Sequence, residues 1–137
     1  MMQRLGARWR TPALVAAYAG LTVLSHPDAS MSILGWVSLV PLLALIHRGE
    51  GRFRSSRVAW VGGSLGYFGA VGWLCRVGEY AGLTQPWGWV AGVIGALPLA
   101  ADMGLYVGLF AVLTTAFARV SAWWYPLVVA ILWTFVE

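Results

Sequence analysis

Five apolar runs dominate the sequence, and the short segments between them carry most of the charged residues. The runs cover residues 12–25, 31–46, 58–75, 87–118 and 122–137. A helix that crosses a membrane needs about 20 mostly apolar residues, so runs of this length and number are typical of a membrane-embedded helix bundle. We therefore expect an all-α fold, a polytopic bundle of about five transmembrane spans.

The composition excludes most other classes of protein. Hydrophobic residues make up 60% of the chain and charged residues only 10%, against about 25% charged residues in ordinary soluble domains. A soluble domain of this size leaves about a third of its unfolded surface wet, so a soluble monomer could not hide so much apolar surface. The high share of hydrophobic residues and the low share of charged ones also exclude a disordered chain. A single Cys excludes an internal disulfide.

The basic charge balance predicts an orientation in the membrane rather than a nucleic-acid surface. All nine basic residues are Arg, and they lie in the gaps between apolar runs instead of forming one basic face. With a cytoplasmic N-terminus, the outside segments carry only Arg76, and the inside segments carry Arg4, Arg8, Arg10, Arg48, Arg52, Arg54, Arg57 and Arg119. The positive-inside rule then predicts residues 1–11 as a cytoplasmic segment, residues 12–137 as the transmembrane domain and an odd number of spans.

The ends of the apolar runs carry further expectations. Residues 12–25 resemble the apolar part of a signal peptide, but no clear cleavage pattern follows, so we favour a first span with Pro12 in its first turn. The run 87–118 is expected to form one long, tilted helix with a kink near Pro98. The last run is short for a span and ends on the carboxylate of Glu137, which suggests a helix truncated in a longer protein.

Small residues recur at helical spacing in the later runs. One face carries Gly62, Gly66 and Gly69, with Gly72 close by, and the next run carries the pairs Gly88 and Gly92, and Gly104 and Gly108. Such faces let helix backbones approach closely in lipid. Packing within the bundle is the favoured interpretation, and a lipid-entry groove is the alternative.

Two sites are candidates for chemistry, and the sequence favours a structural role for both. Asp102 interrupts the fourth run, one turn from Tyr106, but no second intramembrane acid, His or Lys is present to complete a proton relay. Cys75 lies near Arg76 and Glu79, and a neighbouring cation makes a thiol more reactive. A nucleophilic Cys also needs a base, and the two His residues, His26 and His47, fall on opposite sides of the predicted topology. We assign no catalytic, cofactor-binding or metal-binding residue.

The order of the segments resembles a known family. The segments are LSHPD (24–28), LGWVSLVPLLAL (34–45), GGSLGYFGAVGWL (62–74), LYVGLFA (105–111) and LWTFVE (132–137). This succession, which closes on W-x-x-x-E at Trp133 and Glu137, resembles the N-terminal membrane region of bacterial apolipoprotein N-acyltransferases. The resemblance covers nearly the whole chain from about Pro12 onward.

The resemblance implies a function. Enzymes of this family move an acyl chain from a membrane phospholipid to the N-terminal diacylglyceryl-cysteine of a maturing lipoprotein, at the bacterial inner membrane. They do so on a nitrilase-like domain that lies on the outer side of the inner membrane and carries a Glu-Lys-Cys triad. This chain has no Lys and Cys75 does not match the catalytic Cys, so we expect the chain alone to be inactive and to need no cofactor. Its expected role is to anchor the catalytic domain and frame lipid access.

An alternative of another class stays open at this point. A small non-enzymatic membrane protein, or a fragment of a transporter that packs as an oligomer, would show the same apolar runs. A reading frame that continues into a nitrilase-like segment with Glu, Lys and Cys would favour the acyltransferase.

Overall fold

The computed structural model describes residues 2–26, 31, 33–48, 51–117 and 123–136 and, for residues 2–9 and Glu79, the backbone alone. Within these ranges the chain forms helices and turns and no strand, which confirms the all-α expectation for the described residues. The helices are α1 (Met2–Ser25), α2 (Ile33–Ile46), α3 (Arg52–Ala70), a 3-10 helix (Gly72–Arg76), α4 (Val77–Tyr80), α5 (Trp87–Ala116) and α6 (Tyr125–Val136).

Among the described helices, only α5 is both long enough and apolar enough to cross a membrane by itself. It runs unbroken for 30 residues, as the single long helix predicted there, and Pro98 lies inside it. α2 and α6 are apolar but have only 14 and 12 residues, about 21 and 18 Å of helix. α1 and α3 have the length, but each begins in turns that carry Arg. The number of spans stays a prediction.

The position expected for Pro12 is wrong. It was expected in the first turn of the first helix, but α1 begins at Met2 and Pro12 lies in its interior. A proline there removes one backbone hydrogen bond, to the carbonyl of Arg8. Because Pro12 and Arg10 are exposed, water can satisfy that carbonyl, and the helix continues through the proline. The assignment of residues 1–11 to a cytoplasmic segment stays a prediction.

The helix bounds differ at both ends from the apolar run at residues 58–75, while the span predicted there stays a prediction. α3 starts six residues earlier and stops at Ala70, where the chain tightens into the 3-10 helix. Gly69 and Gly72 flank this break, and each glycine lowers helix stability by about 1 kcal/mol relative to alanine. A switch to 3-10 geometry is common at such helix ends.

Glycines bring α3 and α5 into backbone contact. A Cβ added to Gly63 would lie 2.8 Å from Cγ2 of Val107 and 3.1 Å from Cα of Gly104. The Ser56 hydroxyl donates a hydrogen bond to the carbonyl oxygen of Gly108 at 3.0 Å. The packing role predicted for Gly104 and Gly108 is therefore confirmed.

The glycine face of α3 packs against α1. A Cβ on Gly66 would lie 3.1 Å from Cβ of Thr22, and Gly62 and Gly69 meet side chains of the same helix. Gly72 has no atom within 4 Å of an added Cβ, so it takes no part in this contact. The face predicted from Gly62, Gly66 and Gly69 is a helix-packing surface.

The polar stretch expected at residues 76–85 contains a structured connection. The 3-10 helix and α4 fold back onto the first turns of α5. Gly92 packs against the backbone of Cys75, and Gly78 packs against the backbone of Gly88. The predicted pair Gly88 and Gly92 thus contacts this connection rather than a long helix.

Two side-chain contacts bring the Arg-bearing helix ends together. One Nη of Arg48, just after α2, donates to the Thr11 hydroxyl of α1 at 2.9 Å. The Tyr125 hydroxyl, at the start of α6, lies 2.7 Å from Nε2 of His47. We call this end, where α2 and α5 finish and α3 and α6 begin, the basic end. The helices therefore alternate in direction, as short connections predict.

Apolar side chains fill the core and also cover much of the outside. Tyr18, Leu42, Val107 and Phe110 are at most 2% exposed. The residues that are more than half exposed include Trp36, Val40, Ile94, Leu105, Ile131 and Phe135. Contiguous exposed apolar surface of this kind is rare on soluble monomers and is typical of a protein surrounded by lipid.

Candidate functional site

A cavity of about 190 Å³ lies at the end of the bundle opposite the basic end. We call it the polar cavity, because hydroxyl and imidazole groups from three helices line it. They are Thr22, Ser25 and His26 at the end of α1, Ser38 of α2 and Tyr67 of α3. Trp133 of α6 closes one side. Residues far apart in the sequence thus meet at one site.

The hydroxyl groups of this cavity bond to their own helices. Thr22 donates to the carbonyl of Tyr18 at 2.9 Å, Ser25 to that of Thr22 at 2.7 Å, and Ser38 to that of Gly35 at 2.6 Å. Such local bonds allow Ser and Thr to sit in apolar helices without an unsatisfied donor. Each hydroxyl oxygen keeps acceptor capacity, so the cavity wall can receive hydrogen bonds from a ligand.

His26 is held in a defined orientation at the rim. Its Nδ1 lies 2.7 Å from the carbonyl oxygen of Thr22. A carbonyl only accepts, so this bond assigns the proton of a neutral ring to Nδ1 and the lone pair to Nε2. The ring also packs edge-on against Tyr67, with 5.9 Å between centroids. Sequence reasoning considered His26 only as a base for Cys75 and missed this role.

A second cavity, of about 170 Å³, adjoins the first. We call it the apolar cavity, because Met103, Val107 and Val136 line it together with Tyr106. Tyr67 and Trp133 line both cavities, so the two lie side by side. Hereafter "the groove" means the two neighbouring cavities together.

Trp133 is fixed between the two compartments. Its ring meets that of Phe110 edge-on, with 5.1 Å between centroids and an angle of 86°. Phe110 is completely buried, and a T-shaped aromatic pair adds about 0.5–1.5 kcal/mol to the burial itself. The tryptophan of the W-x-x-x-E motif is thus a rigid wall of the groove, while Glu137 lies outside the described residues.

The structure separates the proton-relay candidates. Asp102 is exposed on α5 and, within the part of the chain that the structure describes, makes no hydrogen bond or ion pair. Tyr106 is 47% exposed and lines the apolar cavity instead. No hydrogen bond joins Asp102 to Tyr106 there, and the described residues offer Asp102 no relay partner.

The Cys75 cluster is not assembled as a nucleophile. Cys75 is half-buried in the 3-10 helix, Arg76 is exposed, and the side chain of Glu79 lies outside the described part. His26 and His47 lie at opposite ends of the bundle, as predicted. Among the described residues, no three His, Cys, Asp or Glu side chains gather as a metal-ligand set.

A comparison with protein families decides what this bundle is. The model described as "Apolipoprotein N-acyltransferase N-terminal domain" matches residues 18–137. The chain belongs to that family. A search of curated proteins and a search of solved structures gave no match. The match to the apolipoprotein N-acyltransferase domain starts at Tyr18, in the wall of the polar cavity, and covers every residue of the groove. The resemblance drawn from the sequence is confirmed, and with it a link to lipoprotein biosynthesis and association with a membrane.

Proposed function

We propose that this chain is the membrane region of an apolipoprotein N-acyltransferase, where it anchors the catalytic domain and frames the lateral path of the lipid substrates. In this role it would guide the phospholipid that gives its acyl chain and the diacylglyceryl-cysteine of the lipoprotein that receives it. The observation that carries the proposal is the groove, because a polar and an apolar compartment that share two walls match the two ends of a lipid.

The energetics assign different tasks to the two compartments. A lipid chain in the bilayer is already in apolar surroundings, so its transfer into the apolar cavity gains little from the hydrophobic effect. The apolar cavity would therefore select a lipid by the shape of its acyl chain. Each hydrogen bond in the polar cavity contributes about 0.5–1.5 kcal/mol. Thr22, Ser38 and His26 together would thus supply most of the preference for one headgroup over another.

The arrangement of Arg supports an orientation for this proposal. A cytoplasmic basic end leaves eight Arg inside and Arg76 outside, as the positive-inside rule requires. The chain would then be a multi-pass protein of the bacterial inner membrane with about five spans. The groove would open in the outer half of the bilayer. That is the side where the family resemblance puts the catalytic domain.

Filling the apolar cavity tests the proposal. In Met103→Trp, an indole would occupy the space of the acyl chain. Overpacking of this kind costs about 1–3 kcal/mol, so occupancy by a spin-labelled phospholipid should fall about five- to 150-fold. The measurement is the motionally restricted fraction of the label in the electron spin resonance spectrum of the reconstituted chain.

Leu105→Trp is the matched control. Leu105 is 59% exposed on the same helix and does not line the groove. It should therefore leave the restricted fraction unchanged. An equal loss in both variants, or no restricted fraction in the unaltered chain, would contradict the proposed lipid path.

A further inference from the structure

A third cavity, of about 260 Å³, lies at the basic end, remote from the groove. It is bounded by the end of α2, the first turn of α3 and the last turn of α5. Its polar lining comes from His47, Arg52, Ser55, Thr114 and Thr115, and Ile46 supplies apolar surface. The volume lies just below the range of about 300–1,000 Å³ that is typical of whole small-molecule sites. It suits a compact group rather than an acyl chain.

The polar groups of this cavity differ in what they can still donate. Thr115 already donates to the carbonyl of Val112 at 2.7 Å, and Ser55, only 5% exposed, donates to that of Ile46 at 3.5 Å. Both hydroxyl protons are therefore already in hydrogen bonds, and the bond of Ser55 is long and weak. Arg52 makes no hydrogen bond or ion pair with any described residue. Among the described polar groups of the lining, the exposed guanidinium of Arg52 is therefore the one with donors not assigned to another described residue.

His47 forms a rigid wall. Its Nδ1 lies 2.7 Å from the carbonyl oxygen of Leu43, and its Nε2 lies 2.7 Å from the Tyr125 hydroxyl. A carbonyl accepts only, so Nδ1 donates to it, and the Tyr125 hydroxyl donates to Nε2 of the neutral ring. The imidazole thus links the end of α2 to the start of α6 beside this cavity.

The described charged groups around the cavity are all basic. Among the described lining residues there is no acid, and Arg48, Arg54 and Arg57 stand on the same end of the bundle. The positive end of the α3 dipole is opposed here by the negative ends of α2 and α5, so the charge comes from the Arg side chains. A guanidinium matches the paired oxygens of a phosphate better than any other side chain does.

We propose that this cavity binds the phosphate of an anionic phospholipid from the leaflet that surrounds the basic end. Arg52 holds two phosphate oxygens, the Ile46 side packs against the first carbons of the lipid, and the acyl chains stay in the bilayer. The site is separate from the groove. It would hold the basic end at the membrane surface and does not depend on passage of substrate.

A titration with two lipids tests the site. The purified chain in detergent is titrated with phosphatidylglycerol or with zwitterionic phosphatidylcholine, and bound lipid is counted by native mass spectrometry. Phosphatidylglycerol should bind more tightly. Arg52→Gln should weaken it about tenfold or more, because a hydrogen bond to a charged group contributes about 1.5–3 kcal/mol. Thermal unfolding of each variant without lipid establishes that it is folded.

Arg57→Gln is the matched control, since it removes the same charge from α3 but Arg57 does not line this cavity. It should change binding less than threefold. Equal weakening in both variants would overturn the proposal in favour of a diffuse basic surface.

A competition experiment with inorganic phosphate distinguishes a lipid headgroup from free phosphate as the ligand. Displacement of the lipid by millimolar phosphate, with the same dependence on Arg52, would overturn the assignment to lipid and indicate a site for free phosphate.

Discussion

Gly92→Ala is expected to lower the free energy of unfolding by about 1–3 kcal/mol, the usual cost of an overpacked contact. A Cβ at this position would meet the Cα of Cys75 and the carbonyl oxygen of Leu74. These are backbone atoms, so no side-chain rotation can relieve the contact. The 3-10 helix would have to move away from α5. Reversible unfolding in mixed micelles with increasing dodecyl sulfate measures the change.

Gly95→Ala is the matched control on the same helix. An added Cβ there has no atom within 4 Å. Both variants gain the same intrinsic helix preference of alanine over glycine, about 1 kcal/mol. The control should therefore be neutral or stabilising. Equal effects at the two positions would contradict the packing of the 3-10 helix against α5.

A reporter that is active only outside the cytoplasm should be silent when fused after Gly51 and active when fused after Gly82. Gly51 precedes the Arg-bearing start of α3, and Gly82 follows α4 at the other end of the bundle. The eight-to-one division of Arg between the two sides supplies the expected bias. Activity in cells, corrected for the amount of fusion protein, is the measurement. The reverse pattern would contradict the orientation and move the groove to the inner half of the bilayer.

The long helix and the glycine contacts could be predicted from the sequence because both depend on local patterns. The fourth apolar run ends within two residues of α5. The faces formed by Gly62, Gly66 and Gly69 and by Gly104 and Gly108 follow from helical spacing alone. The start of α1 could not be predicted from hydropathy, because its first turns carry Arg and yet remain helical at the exposed end of the bundle.

The groove could not be predicted because its residues share no sequence spacing. Thr22, Ser38, Tyr67 and Trp133 lie on four helices, and only the tertiary fold brings them together. A single Ser or Thr in an apolar run looks like a packing residue that bonds to its own helix, which is how Thr22 and Ser38 behave. The family motif marks Trp133, but nothing in the sequence indicates that it lines two neighbouring cavities.

The folding of the 3-10 helix and α4 back onto α5 could not be predicted for a related reason. Residues 76–85 read as a polar connection, since they contain Arg76, Glu79 and Gln85. The contact that orders this stretch is between backbone atoms at Gly78 and Gly88. A pattern of side-chain polarity carries no information about such a contact.

Photolabelling of the chain with a phospholipid tests the central claim most directly. The probe carries a diazirine near the end of one acyl chain, and the labelled residues are identified by mass spectrometry of peptides. A lipid in the groove predicts adducts concentrated on Met103, Tyr106 and Trp133, reduced by excess unlabelled phospholipid. Adducts spread evenly over the outward residues Ile94, Ile131 and Phe135, with none on the groove residues, would contradict the account.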